Sequence, residues 1–263
     1  MKYVQSHNTS DNTKPATPWS RPQRESSYND EILAPEFTEF RLRLSLGENW
    51  LRILPPQPAS AYDWLLGLHV LKYERGRFVH PRSITKNAKC VFDHAYAWAL
   101  KHAPGSLYSK ANKAGARLLA DPMSLCWVAI EQEGRFVPRL FLEGAYDGTR
   151  GGMQALGFRL WDYCTNLDPL VTDADPLDRV SGVMVCIEKT QPKGAKYPTY
   201  HIKMGRNPRP AAELVATMDP AERELICPLE HVVRQLSDEE QWNRLARTIA
   251  PETVAIIRES LTR

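Results

Sequence analysis

The chain lacks the short motifs that mark the commonest catalytic sites. It has no phosphate loop of Walker type, no GxSxG nucleophile motif and no HExxH metal motif. The glycine-rich segment 144–152 contains no lysine, so it cannot hold a nucleoside triphosphate as a phosphate loop does. These absences exclude the usual nucleotide, hydrolase and metalloprotease signatures and favour a binding protein over an enzyme.

Paired cysteines and long apolar runs are also missing. No two cysteines form a CxxC pair, and each lies among apolar residues, which predicts reduced, buried thiols in a cytoplasmic protein. The N-terminus has no apolar signal region, and no apolar run is long enough to cross a bilayer, so we expect no membrane partner. The five cysteines are Cys90, Cys126, Cys164, Cys186 and Cys227.

Acidic residues are scarce in the front half of the chain. The net charge is only +3, yet between Arg41 and Arg117 there are 13 basic residues against 4 acidic ones. From residue 207 to the end the balance reverses, with 7 basic and 10 acidic residues. A basic front half predicts a polyanionic partner for that part of the protein.

The pattern of elements predicts an α+β protein around a small antiparallel β-barrel. Short strand-like runs with turn signals are followed by helices near the end, and the alternation of strands and helices typical of a dinucleotide fold is missing. Strands are predicted over 39–46, 47–54, 62–73, 123–130, 135–142, 181–189 and 197–204. Helices are predicted over 90–102, 211–218, 220–235 and 238–261.

Three regions follow from this pattern. Residues 1–35 are polar and proline-containing and predict a flexible N-terminal arm. Residues 36–235 form the predicted core, with a possible zinc subdomain inserted at about 62–105, and residues 236–263 form a C-terminal helical segment.

The strand at 47–54 carries two different faces. Alternation places Leu51 and Ile53 on an aliphatic side that suits a core, and Trp50 and Arg52 on the other side. A ring and a guanidinium side by side can stack on a base and hold a phosphate. The alternative is an edge strand with a half-buried tryptophan and a solvated arginine.

Potential metal ligands are concentrated within 26 residues. His69, His80 and Cys90 are followed by Asp93 and His94. Zinc takes four nitrogen, sulphur or oxygen ligands, and a strand, a turn and a helix start can bring such residues together. The alternative is histidines on a basic face and a buried cysteine in a helix.

The order of these features resembles the single-stranded DNA-binding, or helix-destabilising, proteins of the T-even phages. The resemblance spans roughly residues 40–235 and rests on Gly47 to Pro55, on Leu68-His69-Val70 followed by Gly76-Arg77-Phe78, on Gly134 to Phe141 and on the strand 181–189. It implies an OB-fold core that coats exposed strands in DNA replication, recombination or repair. It also implies cooperative self-association and replication or recombination proteins as partners.

The resemblance also implies zinc, held by His69, His80, Cys90 and, as the better fourth ligand, His94. The spacing of the family's ligands is kept, but His80 stands where the family has its first cysteine and Asp93 where it has its last. The C-terminus departs as well, because the family ends in an acidic tail and this chain ends in a helical pattern.

Aromatic rings interleaved with cations complete the sequence argument, because unpaired bases stack and the backbone needs countercharge. We therefore predict a non-catalytic protein that binds single-stranded DNA with little sequence preference. Stacking is assigned to Trp50, Trp64, Tyr73 and Trp127, and backbone pairing to Arg52, Lys72, Arg75, Lys110, Lys113 and Arg139.

Two other functions remain open at this point. One is a zinc-dependent nucleic-acid-processing enzyme that uses Glu143, Asp147 or the histidine cluster. The other is a regulatory module that binds duplex DNA or a host protein, in which the basic face steers and the C-terminal helices dock.

Overall fold

The structure is a computed structural model that describes residues 29–55, 65–73, 76–102, 118, 120–144, 156–157, 159–160, 182–195 and 198–262. These residues form a mixed α/β protein on one mostly antiparallel sheet, which confirms the α+β class. The strands are β1 (Asn29–Glu31), β2 (Gly47–Leu54), β3 (Leu66–Tyr73), β4 (Gly76–Val79), β5 (Asp121–Gln132), β6 (Arg135–Gly144), β7 (Val183–Thr190) and β8 (Thr199–Pro208).

Helices cover parts of this sheet. Two short 3-10 helices are η1 (Pro35–Phe40) and η2 (Pro81–Ser83). The described α-helices of four or more residues are α1 (Val91–His102), α2 (Ala211–Thr217), α3 (Pro220–Glu224), α4 (Leu229–Val232), α5 (Asp238–Leu245) and α6 (Pro251–Thr262). The predicted helix at 220–235 is thus split, because Pro228 supplies no backbone N–H and α4 starts anew after it.

Strand β5 is the centre of the sheet. One of its edges pairs with β6 along its length, from Met123 opposite Gly144 to Gln132 opposite Arg135. Its other edge is shared, with β3 beside its first half and β2 beside its second. The strand path is β1-β4-β3-β5-β2-β7-β8, and among the named strands of the described residues only the β1–β4 pairing is parallel.

The two predicted hairpins are confirmed. β5 and β6 are joined by the two-residue turn Glu133-Gly134, where both residues have positive φ, 53° and 78°. β7 and β8 pair from Val183 opposite Pro208 to Thr190 opposite Thr199. Alternating apolar residues specified these strands because every second side chain faces the same core.

The strand predicted over 39–46 is wrong. Residues Pro35–Phe40 form η1 instead, and the chain then runs in extended form, with a single bridge from Arg41 to Leu140 of β6. Pro35 supplies the fixed φ that favours a helix start, and Phe37 is buried from this turn. Leu42 and Leu44 pack in the cluster that contains Phe141 of β6, whereas Leu46 is exposed, so the apolar alternation does not mark membership of a ladder.

The sheet buries side chains on both faces. On one face Leu51 and Ile53 of β2 pack with β5 to β8 residues such as Val128, Phe141 and Ile187, so the predicted aliphatic side is confirmed. On the other face Leu54, Trp127 and Leu140 pack with η1, α2, α4 and the residues that follow α3.

A further apolar cluster joins the C-terminal helices to the sheet. Leu236, Leu245 and Ile257 pack with Phe92 of α1 and Phe78 of β4.

β3 and β4 belong to the same sheet as β5, and the described strands form an open path. Closure into a barrel is not observed among them and stays a prediction. None of the helices in the described ranges is long and apolar enough to cross a membrane.

Candidate nucleic-acid interface and metal centre

Trp50 is an exposed aromatic ring on the described surface, with 43% of its area accessible. Its indole N–H donates to the Glu48 carboxylate at 3.2 Å, and a Cβ built on Gly205 of β8 would lie 3.5 Å from its ring. The ring therefore lies in the middle of β2, next to a glycine of β8. A carboxylate so close to the ring is unfavourable for a phosphate backbone.

Arg52, predicted to pair with phosphate, has no accessible area. Its Nε donates to the carbonyl of Arg209 at 2.9 Å, and its Nη1 donates to the carbonyl of Ile53 at 2.7 Å. The residues just before α2 cover this part of the strand. A buried guanidinium cannot reach a phosphate, so Arg52 belongs to the core in this structure.

Two of the predicted stacking rings are also buried. Trp127 is fully inaccessible, contacts Phe37 edge to face, and donates from Nε1 to the carbonyl of Cys227 at 2.9 Å. Tyr73 is 3% exposed, and its hydroxyl donates to Glu31. Neither ring offers a face to a base, because both strands are covered by helices.

The remaining predicted contacts divide into two groups. Lys72 is exposed but forms an ion pair with Asp121, and half-buried Arg139 donates to the side chain of Gln132 at 2.9 Å. Four predicted residues lie outside the described ranges: Trp64, Arg75, Lys110 and Lys113.

The predicted contact residues did not include one set of exposed cations. Arg82, Lys86 and Lys89 are exposed on the segment that runs from η2 to the start of α1, which we call the basic turn. No carboxylate among the described residues forms an ion pair with them, whereas Lys72, Lys203 and Arg258 are each paired. The sequence signal was available, because no acidic residue occurs between Glu74 and Asp93.

His80, Cys90 and Asp93 form the candidate metal centre. One ligand atom from each lies within 4.8 Å of the others, which is close enough to hold a metal ion. His80 immediately precedes η2, Cys90 immediately precedes α1, and Asp93 lies in the first turn of α1. His80 and Cys90 are 1% and 2% exposed.

Hydrogen bonds already connect these three residues. The backbone N–H of Arg82 donates to Nδ1 of His80 at 3.1 Å, so in neutral His80 the ring proton is on Nε2. That Nε2 lies 2.9 Å from Oδ2 of Asp93, and the same oxygen accepts the backbone N–H of Cys90 at 2.9 Å. His80 thus caps η2 while Asp93 caps α1.

The ionisation of these groups follows from their surroundings. Burial raises the pKa of the Asp93 carboxyl, but hydrogen bonds from His80 and from the Cys90 amide outweigh it and hold the pKa below its usual value. Burial, reinforced by the nearby Asp93 charge, raises the pKa of the Cys90 thiol to about 12. Without a metal the thiol is therefore protonated and Asp93 ionised at neutral pH.

A metal at this cluster would have to replace hydrogen bonds. A metal on Nε2 of His80 leaves the second ring nitrogen protonated as a donor, but Nδ1 here faces the amide donor of Arg82. The donor set of nitrogen, sulphur and oxygen suits zinc chemically. The hydrogen-bonded arrangement suits the metal-free state, so binding requires the Arg82 amide to turn away.

The other two predicted ligands, His69 and His94, are not part of this cluster. The Nδ1 of His69 lies 3.2 Å from the Arg82 guanidinium, and burial together with that cation lowers its pKa. His94 follows Asp93 on α1 and is half-buried. Asp93 occupies the place expected for His94, because successive residues of a helix point about 100° apart.

Glu143, proposed for an alternative catalytic role, lies on β6 opposite buried Ser124 of β5. Burial raises the pKa of its carboxyl despite the nearby charges of Arg41, Lys189 and Arg77. It is not among the residues that meet at the His80 cluster, and Asp147 lies outside the described ranges.

A comparison of the chain with protein-family models, with curated proteins and with solved structures finds no match. The likeness to the helix-destabilising proteins therefore stays a prediction from the residues that carry it.

Proposed function

We propose that this protein binds single-stranded DNA without catalysis. Of the residues that the structure describes, those of the basic turn make the main contact with the phosphate backbone in this proposal. The observation that carries this proposal is the exposure of Arg82, Lys86 and Lys89 without a paired carboxylate among the described residues. Cations already neutralised by neighbours release fewer counterions from DNA, so unpaired ones contribute most to binding.

The surroundings of the basic turn support a polyanion. The partly exposed ring of His69 faces Arg82, and Asp93, the first acidic residue after the turn, is engaged with His80. The sequence places Trp64 two residues before β3, the strand that carries His69. Its assignment as a stacking residue stays a prediction, because Trp64 lies outside the described residues.

Two hydrogen bonds of the segment before β2 support an OB-like barrel as part of the same proposal. The extended segment 41–45 joins two strands that are distant in the sheet order. Its Leu42 amide donates to Leu140 of β6 at 2.8 Å, and its Leu44 carbonyl accepts from Lys189 of β7 at 2.9 Å. A flat sheet would keep β6 and β7 two strands apart, so this bridge favours a curled one.

Charge neutralisation at the basic turn tests the proposal. The full chain and the triple variant R82A/K86A/K89A would be titrated with a labelled oligothymidine at several salt concentrations, with binding followed by fluorescence anisotropy. The triple variant should bind more weakly, and its slope of log affinity against log salt should be shallower by about 2, since each single-strand phosphate contact contributes roughly 0.7.

The matched control is the triple variant K193A/R223A/R247A, which removes three exposed cations elsewhere. It should retain the parent slope to within about one phosphate contact. Equal losses in both variants would show diffuse attraction and contradict a defined site. Tighter binding of a duplex of equal length would favour the regulatory alternative, and metal-dependent cleavage of the oligonucleotide would favour the enzyme.

Zinc is an optional part of the proposal, as an ion with His80, Cys90 and Asp93 as its ligands. The ion would bind Nε2 of His80, whose ring proton would then be on Nδ1, and would ionise the Cys90 thiol. It would tie η2 to α1 as the hydrogen bonds do now. We propose a structural role for it, because the three residues are mostly buried and the basic turn, not the cluster, faces solvent.

A further inference from the structure

A groove of about 550 Å³ lies at the end of the sheet, between the segment that leads into β2 and the β5–β6 turn. We call it the Trp50 groove. It combines an exposed ring, aliphatic side chains and charged groups. The lining residues that matter here are Arg43, Glu48, Trp50, Ile130, Glu131 and Glu133.

The charge of this groove is opposite to that of the basic turn. Three of its side chains are carboxylates and one, Arg43, is a cation. Glu131 and Glu133 are exposed, and no ion pair within the described part of the chain involves either of them. Glu48 shares Lys203 with Glu188, so that cation is already divided between two carboxylates.

The aromatic ring is held beside these carboxylates. The indole N–H of Trp50 donates to Glu48, which fixes the ring at the groove, while 43% of the side chain stays accessible. An electron-rich ring face next to carboxylates attracts ammonium and guanidinium groups. Ile130 pairs with Leu51 and packs on the other face of the sheet, so the next residue of β5, Glu131, shares the face of Trp50.

Glutamate is an unusual residue type at position 133. It has a φ of 53° in a two-residue turn where asparagine or glycine is favoured. A glutamate in this left-handed conformation is strained relative to glycine. No ion pair or side-chain hydrogen bond among the described residues involves the Glu133 carboxylate, so the side chain is better explained by a contact outside the fold.

From these observations we propose that the Trp50 groove binds a peptide segment of a partner protein that carries arginine or lysine. The cation lies against the Trp50 ring and pairs with Glu131 and Glu133. Charge complementarity selects this occupant, since an acidic segment or a phosphate would meet three carboxylates.

The groove is independent of the proposed DNA contact. His69, which faces Arg82 of the basic turn, pairs with Pro122 at the start of β5, and Ile130 lies eight residues further along the same strand. Eight residues of strand span about 26 Å. The protein would thus hold an anionic polymer at one end of β5 and a cationic protein segment at the other.

Binding of a defined peptide to the full chain tests this proposal. The probe is a capped, labelled hexapeptide of alternating arginine and glycine, measured by anisotropy at low and physiological salt. The variant E131Q/E133Q should lower its affinity by about tenfold, because two partly exposed ion pairs are lost. The control E224Q/E252Q makes the same change of net charge at exposed carboxylates elsewhere and should keep the parent affinity.

The variant Glu133→Asn separates binding from stability. Asparagine tolerates the left-handed conformation, so the midpoint of thermal unfolding should stay the same or rise. Peptide affinity should nevertheless fall by about threefold, since one ion pair is removed. A simple loss of folding cannot produce this combination.

Three results would overturn the proposal. The first is no peptide binding by the parent, and the second is an equal loss in the E224Q/E252Q control. The third is peptide binding by a variant in which Lys14, Arg21 and Arg24 are replaced by alanine, with no binding by the parent. The chain's own N-terminal segment would then be the occupant of the groove. Oligothymidine affinity, measured in parallel, should not fall in the groove variants, so failure here is distinct from failure of the DNA proposal.

Discussion

Arg52 is a buried cation whose guanidinium is surrounded by protein. It donates to the carbonyls of Arg209 and Ile53, so it joins β2 to the residues that lead into α2. Leu54, two residues further on the same face, packs with Ala211 and Leu214 of that helix. The long side chain of Arg52 therefore fills space that the aliphatic residues leave between strand and helix.

Replacing Arg52 should affect stability and leave DNA binding intact. Arg52→Ala should lower the free energy of unfolding by about 2–4 kcal/mol, because it creates a cavity and leaves two carbonyls without this donor. Denaturant unfolding measures the loss. The oligothymidine affinity and salt slope of the folded fraction should match the parent, and Arg52→Lys should also be destabilised because an ammonium lacks the planar fork.

A salt slope that falls by about 0.7 in a stable Arg52→Ala protein would contradict this interpretation. It would mean that the guanidinium contacts phosphate in solution, as the strand pattern alone suggested.

At the scale of elements, η2 and α1 are joined by one pair of side chains. His80 accepts the Arg82 amide and contacts Asp93, which accepts the Cys90 amide. The basic turn lies between these anchors, so its cations are displayed on a short segment fixed at both ends. Cys90 contributes its amide to this link, while its thiol is buried.

Two substitutions distinguish a hydrogen-bonded link from a required zinc site. Asp93→Ala should destabilise the protein by about 2 kcal/mol, since it removes a helix cap and the partner of His80. Cys90→Ala should cost about 1 kcal/mol, the effect of a small cavity. An excess of chelator should leave the unfolding midpoint unchanged.

A bound zinc would give a different pattern. Both substitutions would then remove the ion, measured by mass spectrometry of the purified protein, and both would destabilise to a similar extent. Asp93→Asn is the control for the link, because its amide oxygen can still accept the Cys90 N–H.

On the scale of the whole molecule, acidic residues near the start of the described chain connect it to distant parts. Glu31 of β1 binds Arg244 of α5 at 2.8 Å and Arg234 at 3.1 Å. The preceding Asp30 binds Arg77 of β4 at 2.6 Å. β1 is thereby fixed to both the sheet and the C-terminal helices.

These ion pairs predict sensitivity to acid. Burial raises the pKa of Asp30 and of Glu31, but the arginine hydrogen bonds outweigh it and lower both below their usual values, 3.8 and 4.5. Asp93 behaves in the same way. A lowered pKa gives stability that is present above the unfolded pKa and lost as pH falls through the folded one. The free energy of unfolding should therefore be flat from pH 7 to about 5 and fall below about 4.

The variant Glu31→Gln tests this argument. It should lower stability at pH 7 by about 3 kcal/mol, because two arginines lose their buried partner, and it should make the acid dependence shallower. Glu143 acts in the opposite sense, since its raised pKa makes protonation favourable to the fold. A variant as steep in acid as the parent would show that other carboxylates control acid unfolding.

Local patterns account for much of the sheet and of α1. The long alternating runs of β5, β6, β7 and β8 and the breaker-free stretch before His102 were sufficient to predict these elements. The metal centre was predicted in part, because the predicted ligand set included His80 and Cys90. Periodicity could not decide between Asp93 and His94, since that choice depends on how α1 is rotated against the sheet.

The sequence by itself determined the α+β class, the two hairpins and the concentration of cations between Arg41 and Arg117, because these depend on neighbours along the chain. Only the tertiary structure decided which faces are covered. Trp50 and Arg52 share a side of β2 by alternation, yet the residues before α2 bury the arginine and leave the ring exposed. A period of two assigns a side chain to a face, whereas burial depends on what distant segments pack there.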